Sequence, residues 1–458
     1  MKAGQTMKLI ERVQQERAYQ EELYSELREN PINLDDIFDL FVNTIHFNYI
    51  GYDWKKQYYT PSEYHTYVFS RYRYHTLTVE QLVRCLHQLT GDMHDRHLRF
   101  TCDDWIDYRN HAMKYRVRAY EDVLYVTRAE PETGLVPGDQ ILEIQHMSPE
   151  RVRKYTRHNC FYSREPEREL WGGYLRMATH LLVKHPDGTV EDMHVPVFPA
   201  ENVSYPITFE ELGNGVVCLK FCSLYRADVS QLIHDHEAQI RNAKKLIIDL
   251  RQCIGGEDGA GWELFPYAVD KETKISDLLN EEGSYVLCTR ENCGIRIQVL
   301  QQAIAALRGA EDAADAQELQ LASEELKFYQ EHYGQGMVFV PAPEVEEEII
   351  SPAQEAPEKI VVLTDTFCEN EGETLVSMLR RCGSKVTVIG RPTMGTLDFY
   401  DCIHLQINEH MRLSYPIRMT KAAFEGRGIA EKGIPVDRYI PWTPEEIGKD
   451  LILEEALR

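Results

Sequence analysis

The stretch VVLTDTFCENEGETLVSML, Val361 to Leu379, constrains the fold more than any other part of this sequence. The apolar run Val361, Val362 and Leu363 predicts a short buried strand. Asp365 to Asn370 carries polar turn chemistry, and Leu375, Val376 and Leu379 recur at helical spacing. A chain that leaves a strand and turns at once into a helix aims the side chains and first amides of the turn at one spot, where hydrolases often carry a nucleophile. The same alternation begins near Gly215. GVVCLKF reads as a strand, Asp228 as the cap of a helix bearing Val229, Leu232, Ile233 and Ile240, and KLIIDL as the next strand. Apolar strands separated by helices predict a mostly parallel sheet covered on both faces.

At 458 residues the chain exceeds one core and suits two or three domains. Asn33 is placed to cap a helix over Leu34 to Phe47, with Ile37, Phe38, Phe41 and Ile45 on one face. TVEQ at Thr78 forms a capping box for a second helix with Val79, Leu82 and Leu86 as its stripe. The Tyr-rich segment between them, Tyr49 to Tyr74, is expected to pack the helical layer rather than present a peptide surface. Residues Tyr115 to Thr156 read as a β-rich module that closes near residue 200, after a hairpin turning at Pro186, Asp187 and Gly188. The helical segment from Val299 to Tyr333 reads as two helices broken near Gly309, and GMVFVPAP as a return to strand. The acidic cluster Glu344 to Glu348 reads as a solvated linker. Downstream, short strands run to Met419, and a terminal helix is expected with Thr443 as its cap, Pro444 at its first position and Leu457 near its end.

A formal charge of −24 disfavours nucleic acid as a partner, because phosphate contacts need clustered Lys and Arg. Eleven cysteines without close-spaced CxxC pairs favour neither a disulfide framework nor a zinc ribbon. No run is apolar enough to span a bilayer, and the opening residues lack the apolar core of a signal peptide, so a cytoplasmic location is expected. The sequence calls for no cofactor and leaves homo-oligomerisation open.

Several stretches carry site chemistry. GDMHDRHLRF concentrates His94, Asp95 and His97, a set suited to acid-base work, with metal ligation as a weaker reading and a plain surface loop as the bland one. Gly255 and Gly256 in RQCIGGEDGAG allow close backbone approach and could aim amides at an anion. Within the β module, GLVPGDQILEI resembles a segment of the PDZ domains of bacterial proteases. By that resemblance Gly134, Leu135, Val136 and Gly138 are the candidate peptide-binding positions, taking a peptide as an added strand or its carboxylate in backbone amides.

Taken together and in order, DRH at Asp95 to His97, GLVPGD, LIIDLRQCIGG, VVLTDTFCENEGE, VIGRPTMG and EKGIPVD resemble the tail-specific, or C-terminal processing, serine peptidases and the related core of tricorn protease. The resemblance implies an α/β multidomain fold: a helical N-terminal part (1–110), a PDZ-like β domain (111–200) and a crotonase-like core with a mostly parallel sheet (201–458) carrying a helical insertion (295–335). It implies unfolded polypeptides or peptide C-termini as partners. In the serine-lysine version a lysine follows the glycine of VIGxPTxG, where this chain has Thr396 after Gly395. In the tricorn-like version a histidine is the base and a glutamate supports it, at positions that correspond to His97 and Glu431. Amides near Gly255 and Gly256 and that of Glu371 would form the oxyanion hole.

The departure is at the nucleophile. With Gly372 and Glu373 as anchors, Asn370 stands at the serine position. A carboxamide is no nucleophile at neutral pH, whereas with Glu373 three residues on it suits a helix N-cap and half of a capping box. The sequence therefore supports a peptide-binding protein without serine proteolysis. It also leaves open Cys368 as an alternative nucleophile, a native form with serine at 370, a PDZ-type scaffold or regulatory protein, and a metal hydrolase using His94 and His97.

Overall fold

The computed structural model describes residues 33–56, 59, 61–103, 111–155, 166–176, 178–199, 205–279, 281–307, 313–342 and 348–458. The opening residues read for a signal peptide, the break near Gly309 and all but the last residue of the acidic cluster lie outside them. The chain divides into two compact units, each assembled from separated segments. The first takes 1–106, 282–343 and 398–428, and the second takes 107–281, 344–397 and 429–458.

In the first unit, the helix Leu34–Asn48 starts where Asn33 accepts from the N–H groups of Asp35 and Asp36, at 3.0 and 3.1 Å. The helix Val79–Asp92 starts at a complete capping box, with Thr78 and Gln81 bonded reciprocally. Their apolar stripes, including Phe38, Phe41, Leu82 and Leu86, share one core with Phe100, Leu413 and Tyr415 of an antiparallel sheet. Burial of this kind contributes about 25 cal/mol per Å² and holds helices that would be marginal alone. The helical insertion forms Arg290–Leu307 and Ala313–Glu331, and Leu300 and Tyr329 join the same core.

The Tyr-rich segment packs on this core as expected through buried Tyr49 and Tyr59, with Tyr52 and Tyr64 against them, and departs from expectation only beyond. Its helix Pro61–Arg73 buries Val68, while Tyr67, Phe69 and Tyr72 are exposed, because the helix has no coherent apolar stripe to set against the layer.

The second unit holds two sheets of functional interest. One is a six-stranded sheet in which Val216–Phe221, Lys245–Asp249, Lys359–Thr364, Val386–Gly390 and Arg438–Tyr439 pair in parallel, with Ile207–Gly213 antiparallel at one edge. One face packs on helices through Leu246, Ile248, Val362, Val376 and Leu379. The other packs through Ile247, Val361 and Leu363 on the terminal helix residues Ile452 and Ala456. Lys359–Thr364 lies in the middle of this sheet. The other is a five-stranded antiparallel sheet built from Tyr115–Tyr120, Val123–Ala129, Gln140–Ile144, His180–Lys184 and Val190–His194.

Antiparallel pairing prevails across the chain, so the expected mostly parallel arrangement applies to one sheet only. GMVFV illustrates why. It is an apolar strand, yet Gly336–Val340 pairs antiparallel with Ser284–Cys288 in the first unit. A short apolar run carries no record of its partner's direction. Capping also shifted in two places. The helix expected from Asp228 begins earlier, as Arg226–Asp235 after Tyr225, with Ile240 on a separate short helix. Thr443 and Pro444 lead into a single 3-10 turn, and the terminal helix Leu451–Leu457 is capped by Asp450.

Candidate active site

The strand Lys359–Thr364 delivers the chain to a tightly tied turn. Asp365 is buried and accepts from Arg118, from Arg391 Nη1 at 3.1 Å and from the Thr366 N–H at 2.6 Å. Burial alone would push its carboxyl up, but Arg118 and Arg391 outweigh it and hold the group below the usual carboxylate range. Further along, the Cys368 carbonyl accepts from the Met394 N–H at 2.8 Å, and the Glu369 N–H donates to the Cys253 carbonyl at 2.9 Å.

Asn370 then adopts φ 54° and ψ −128°, and the helix Glu371–Cys382 follows at once. For a residue with a side chain this conformation costs on the order of 1–3 kcal/mol, and it persists only where the surroundings over-determine it. Here they do. The Asn370 N–H donates to Thr396 Oγ1 at 2.9 Å, Nδ2 donates to the Ile254 carbonyl at 3.1 Å, and its carbonyl receives the Glu373 N–H at 2.8 Å.

The expected capping box does not form. At these backbone angles the Asn370 side chain turns away from the helix and makes no cap bond. Glu373 is occupied elsewhere. It is fully buried, with Oε1 accepting from Thr393 Oγ1 at 2.5 Å and the Gly395 N–H at 2.7 Å, and Oε2 from the Thr396 N–H at 2.6 Å and Thr396 Oγ1 at 2.5 Å. Burial raises its carboxyl despite these four bonds. The Thr396 hydroxyl, at the position where the resembled serine-lysine enzymes carry lysine, thus links Asn370 to Glu373. Sequence reasoning missed this link, since no local pattern ties residues 20 or more apart.

The glycine turn lies against the same residue. A Cβ on Gly255, at φ 93°, would come within 2.6 Å of the Asn370 Cβ and 3.1 Å of the Glu371 nitrogen, and one on Gly256 within 2.0 Å of the Leu224 carbonyl oxygen. Glycine is therefore required at both positions by close approach. Among the described residues, the N–H groups of Gly255, Gly256 and Glu371 meet no acceptor, which leaves backbone donors flanking Asn370. The Glu371 carboxyl lies beside this turn, with Oε1 3.3 Å from the Gly259 N–H. Burial, then the neighbouring Asp258, pushes it up to about 7.

Glu431 belongs to the same unit. It holds φ 67°, and a Cβ on Gly395 would meet its backbone nitrogen at 3.2 Å, so its segment packs on the turn that binds Glu373. His97 belongs to the first unit. Its N–H donates to Asp95 Oδ1 at 2.9 Å, its Nδ1 lies 3.9 Å from that oxygen, and Tyr49 donates its hydroxyl to Asp95 Oδ2 at 2.7 Å. Asp95 is thus held by the His97 backbone and by Tyr49, with the imidazole beyond hydrogen-bond distance of it, and the part of Tyr49 was not legible in the sequence. Among the described residues, His94 and His97 do not join a third donor in a metal position.

Two expectations are corrected. Cys368 is fully buried, and burial followed by the nearby Cys253 pushes its thiol well above the ordinary value. The apolar packing removes the thiolate stabilisation expected of a helix N-terminus. The GLVPG loop also does not offer open amides. The Gly134 N–H donates to the Pro131 carbonyl, Leu135 to Thr133 Oγ1, Val136 to Asp139 Oδ2 and Gly138 to the Val126 carbonyl. Local turn and ladder bonds have consumed the donors that Gly134, Leu135, Val136 and Gly138 were expected to present.

The middle strand of the parallel sheet thus turns through a strained residue into a helix, beside a tight glycine turn. Residues 214–440 match peptidase family S41, and the chain carries a domain of that family. The structure of mature CPAF complexed with lactacystin superposes with a TM-score of 0.62 at 15% identity, covering 92% of this chain and 96% of that one. Mature CPAF gives 0.61 at 14%, covering 93% and 95%. The photosystem II D1 C-terminal processing protease gives 0.41 at 10%, covering 91% and 98%. At 14–15% identity the likeness to mature CPAF is one of fold. No curated protein matches the chain in sequence. No helix among the described residues is long and apolar enough to cross a membrane.

Proposed function

We propose that this protein is an S41-type peptidase framework that binds extended polypeptide and does not hydrolyse it by a serine mechanism. The observation that carries this reading is Asn370. It occupies the strained elbow between strand and helix, with its carboxamide bonded to the Ile254 carbonyl rather than free to attack. A carboxamide cannot be activated by a general base as a hydroxyl can. The donors of Gly256 and Glu371 flank it and are suited to take a peptide carbonyl, as an oxyanion hole would. By the family pattern His97 is the candidate base and Glu431 a candidate member of the supporting network. Cys368 as substitute nucleophile is disfavoured by its burial. Binding is assigned to the elbow rather than to the GLVPG loop, whose amides are already bonded.

Incubating an unfolded, fluorescently labelled polypeptide with the protein and with Asn370→Ser, and measuring both cleavage and binding, tests this. Binding without cleavage by the protein, and cleavage by the serine form, is the expected result. Turnover by the unaltered protein would overturn the assignment.

A further inference from the structure

We propose that His146, His180 and His194 form a binding site for a late first-row divalent cation such as zinc on the solvent face of the five-stranded antiparallel sheet. All three are exposed. His180 and His194 are directly opposed on adjacent strands, in register. Their ring centres are 5.2 Å apart, and those of His146 and His180 are 5.6 Å apart. Two imidazoles sharing one tetrahedral zinc, with Zn–N bonds of about 2.1 Å, have ring centres about 5 Å apart. The backbone has therefore already set the rings at ligand spacing. Among the described residues no three donor side chains yet converge on a metal position, so the His146 and His194 rings must turn about χ2, which leaves their centres near the present spacing, beside the His180 ring held by Thr179.

Two features prepare the site. His146 stands in a two-residue turn whose members Gln145 and His146 have φ 50° and 62°, closed by reciprocal bonds between Ile144 and Met147. The Gln145 side chain accepts from the N–H groups of Thr179 and His180, at 3.3 and 2.9 Å, and its own N–H donates to the His180 carbonyl at 2.9 Å. The turn bearing His146 is thereby tied to the strand bearing His180. Thr179 Oγ1 donates to Gln145 Oε1 at 3.4 Å and lies 3.1 Å from His180 Nδ1. With its proton directed to Gln145, the hydroxyl accepts Nδ1–H from His180, which leaves Nε2 unprotonated as a metal ligand needs. Asp192 follows the same face two residues before His194 and adds negative charge. Imidazole nitrogens suit zinc, copper or nickel rather than calcium or magnesium.

The test is calorimetric titration of the full chain with zinc chloride at pH 7.5, beside His180→Ala, His194→Ala and the triple alanine variant. The expected result is one equivalent bound by the unaltered protein and missing from the triple variant. Each single change should weaken it by about tenfold or more. Thr179→Val should also weaken it, with Thr179→Ser restoring it. The same stoichiometry and affinity in the triple variant would overturn the proposal. These substitutions sit on an exposed sheet face, and unchanged thermal unfolding without metal confirms that the fold is kept.

Discussion

Glu371→Gln should stabilise the protein by an amount that grows with pH. Glu371 occupies the first helical position after the elbow and is 9% exposed, and burial followed by Asp258 raises its carboxyl from 4.5 to about 7. A raised carboxyl is protonated in the folded state at pH values where the unfolded chain has already ionised. No stability is lost below about pH 4.5. The loss accumulates between about 4.5 and 7 and is complete above the folded value. The separation of about 2.5 units corresponds to about 3 kcal/mol at 1.36 kcal/mol per unit. Glutamine keeps the shape and an oxygen for the Gly259 N–H while removing the charge. Denaturant midpoints for both proteins should therefore differ by about 1 kcal/mol at pH 5 and about 3 kcal/mol at pH 8, with the glutamine form the more stable. A difference that stays flat from pH 5 to 8 would refute the account of a desolvated carboxyl at the elbow.

Two further substitutions probe how the elbow is held. Gly256→Ala places a methyl group 2.0 Å from the Leu224 carbonyl oxygen, so the glycine turn must shift. A destabilisation of about 2 kcal/mol or more by urea unfolding is expected, and an unchanged midpoint would show that the turn is not tight. Thr396→Val conserves volume but strips the acceptor from the Asn370 N–H and a donor from Glu373 Oε2. It should cost about 2 kcal/mol, with Thr396→Ser close to the unaltered protein, and equal stability of the valine and serine forms would remove the proposed link.

The elements that carry the site were legible because their signals are local. Asn33 and the Thr78 capping box named their helices, and Val361 to Leu363 named a buried strand that turns into a helix. Gly255 and Gly256 announced a close backbone approach, although only the structure shows that Asn370 and the Leu224 carbonyl are what they approach. Where a residue type suits two local roles, sequence reasoning chose the commoner one and missed. Asn370 looked like a helix cap, but strained backbone angles and an acceptor at Ile254 took its side chain elsewhere.

By itself the sequence determined the strand-turn-helix, the glycine pair beside it and the absence of a hydroxyl at its centre, since each is set by residue identity and short-range periodicity. Tertiary structure alone decided that antiparallel pairing prevails, that Cys368 is sealed in apolar packing, that the GLVPG amides are spent within their own turn, and that Thr396 joins Asn370 to Glu373. The physical reason is the same in each case. A donor, a thiol or a strand edge acquires its role from the partner that folding brings to it, and that partner lies beyond the reach of any local pattern.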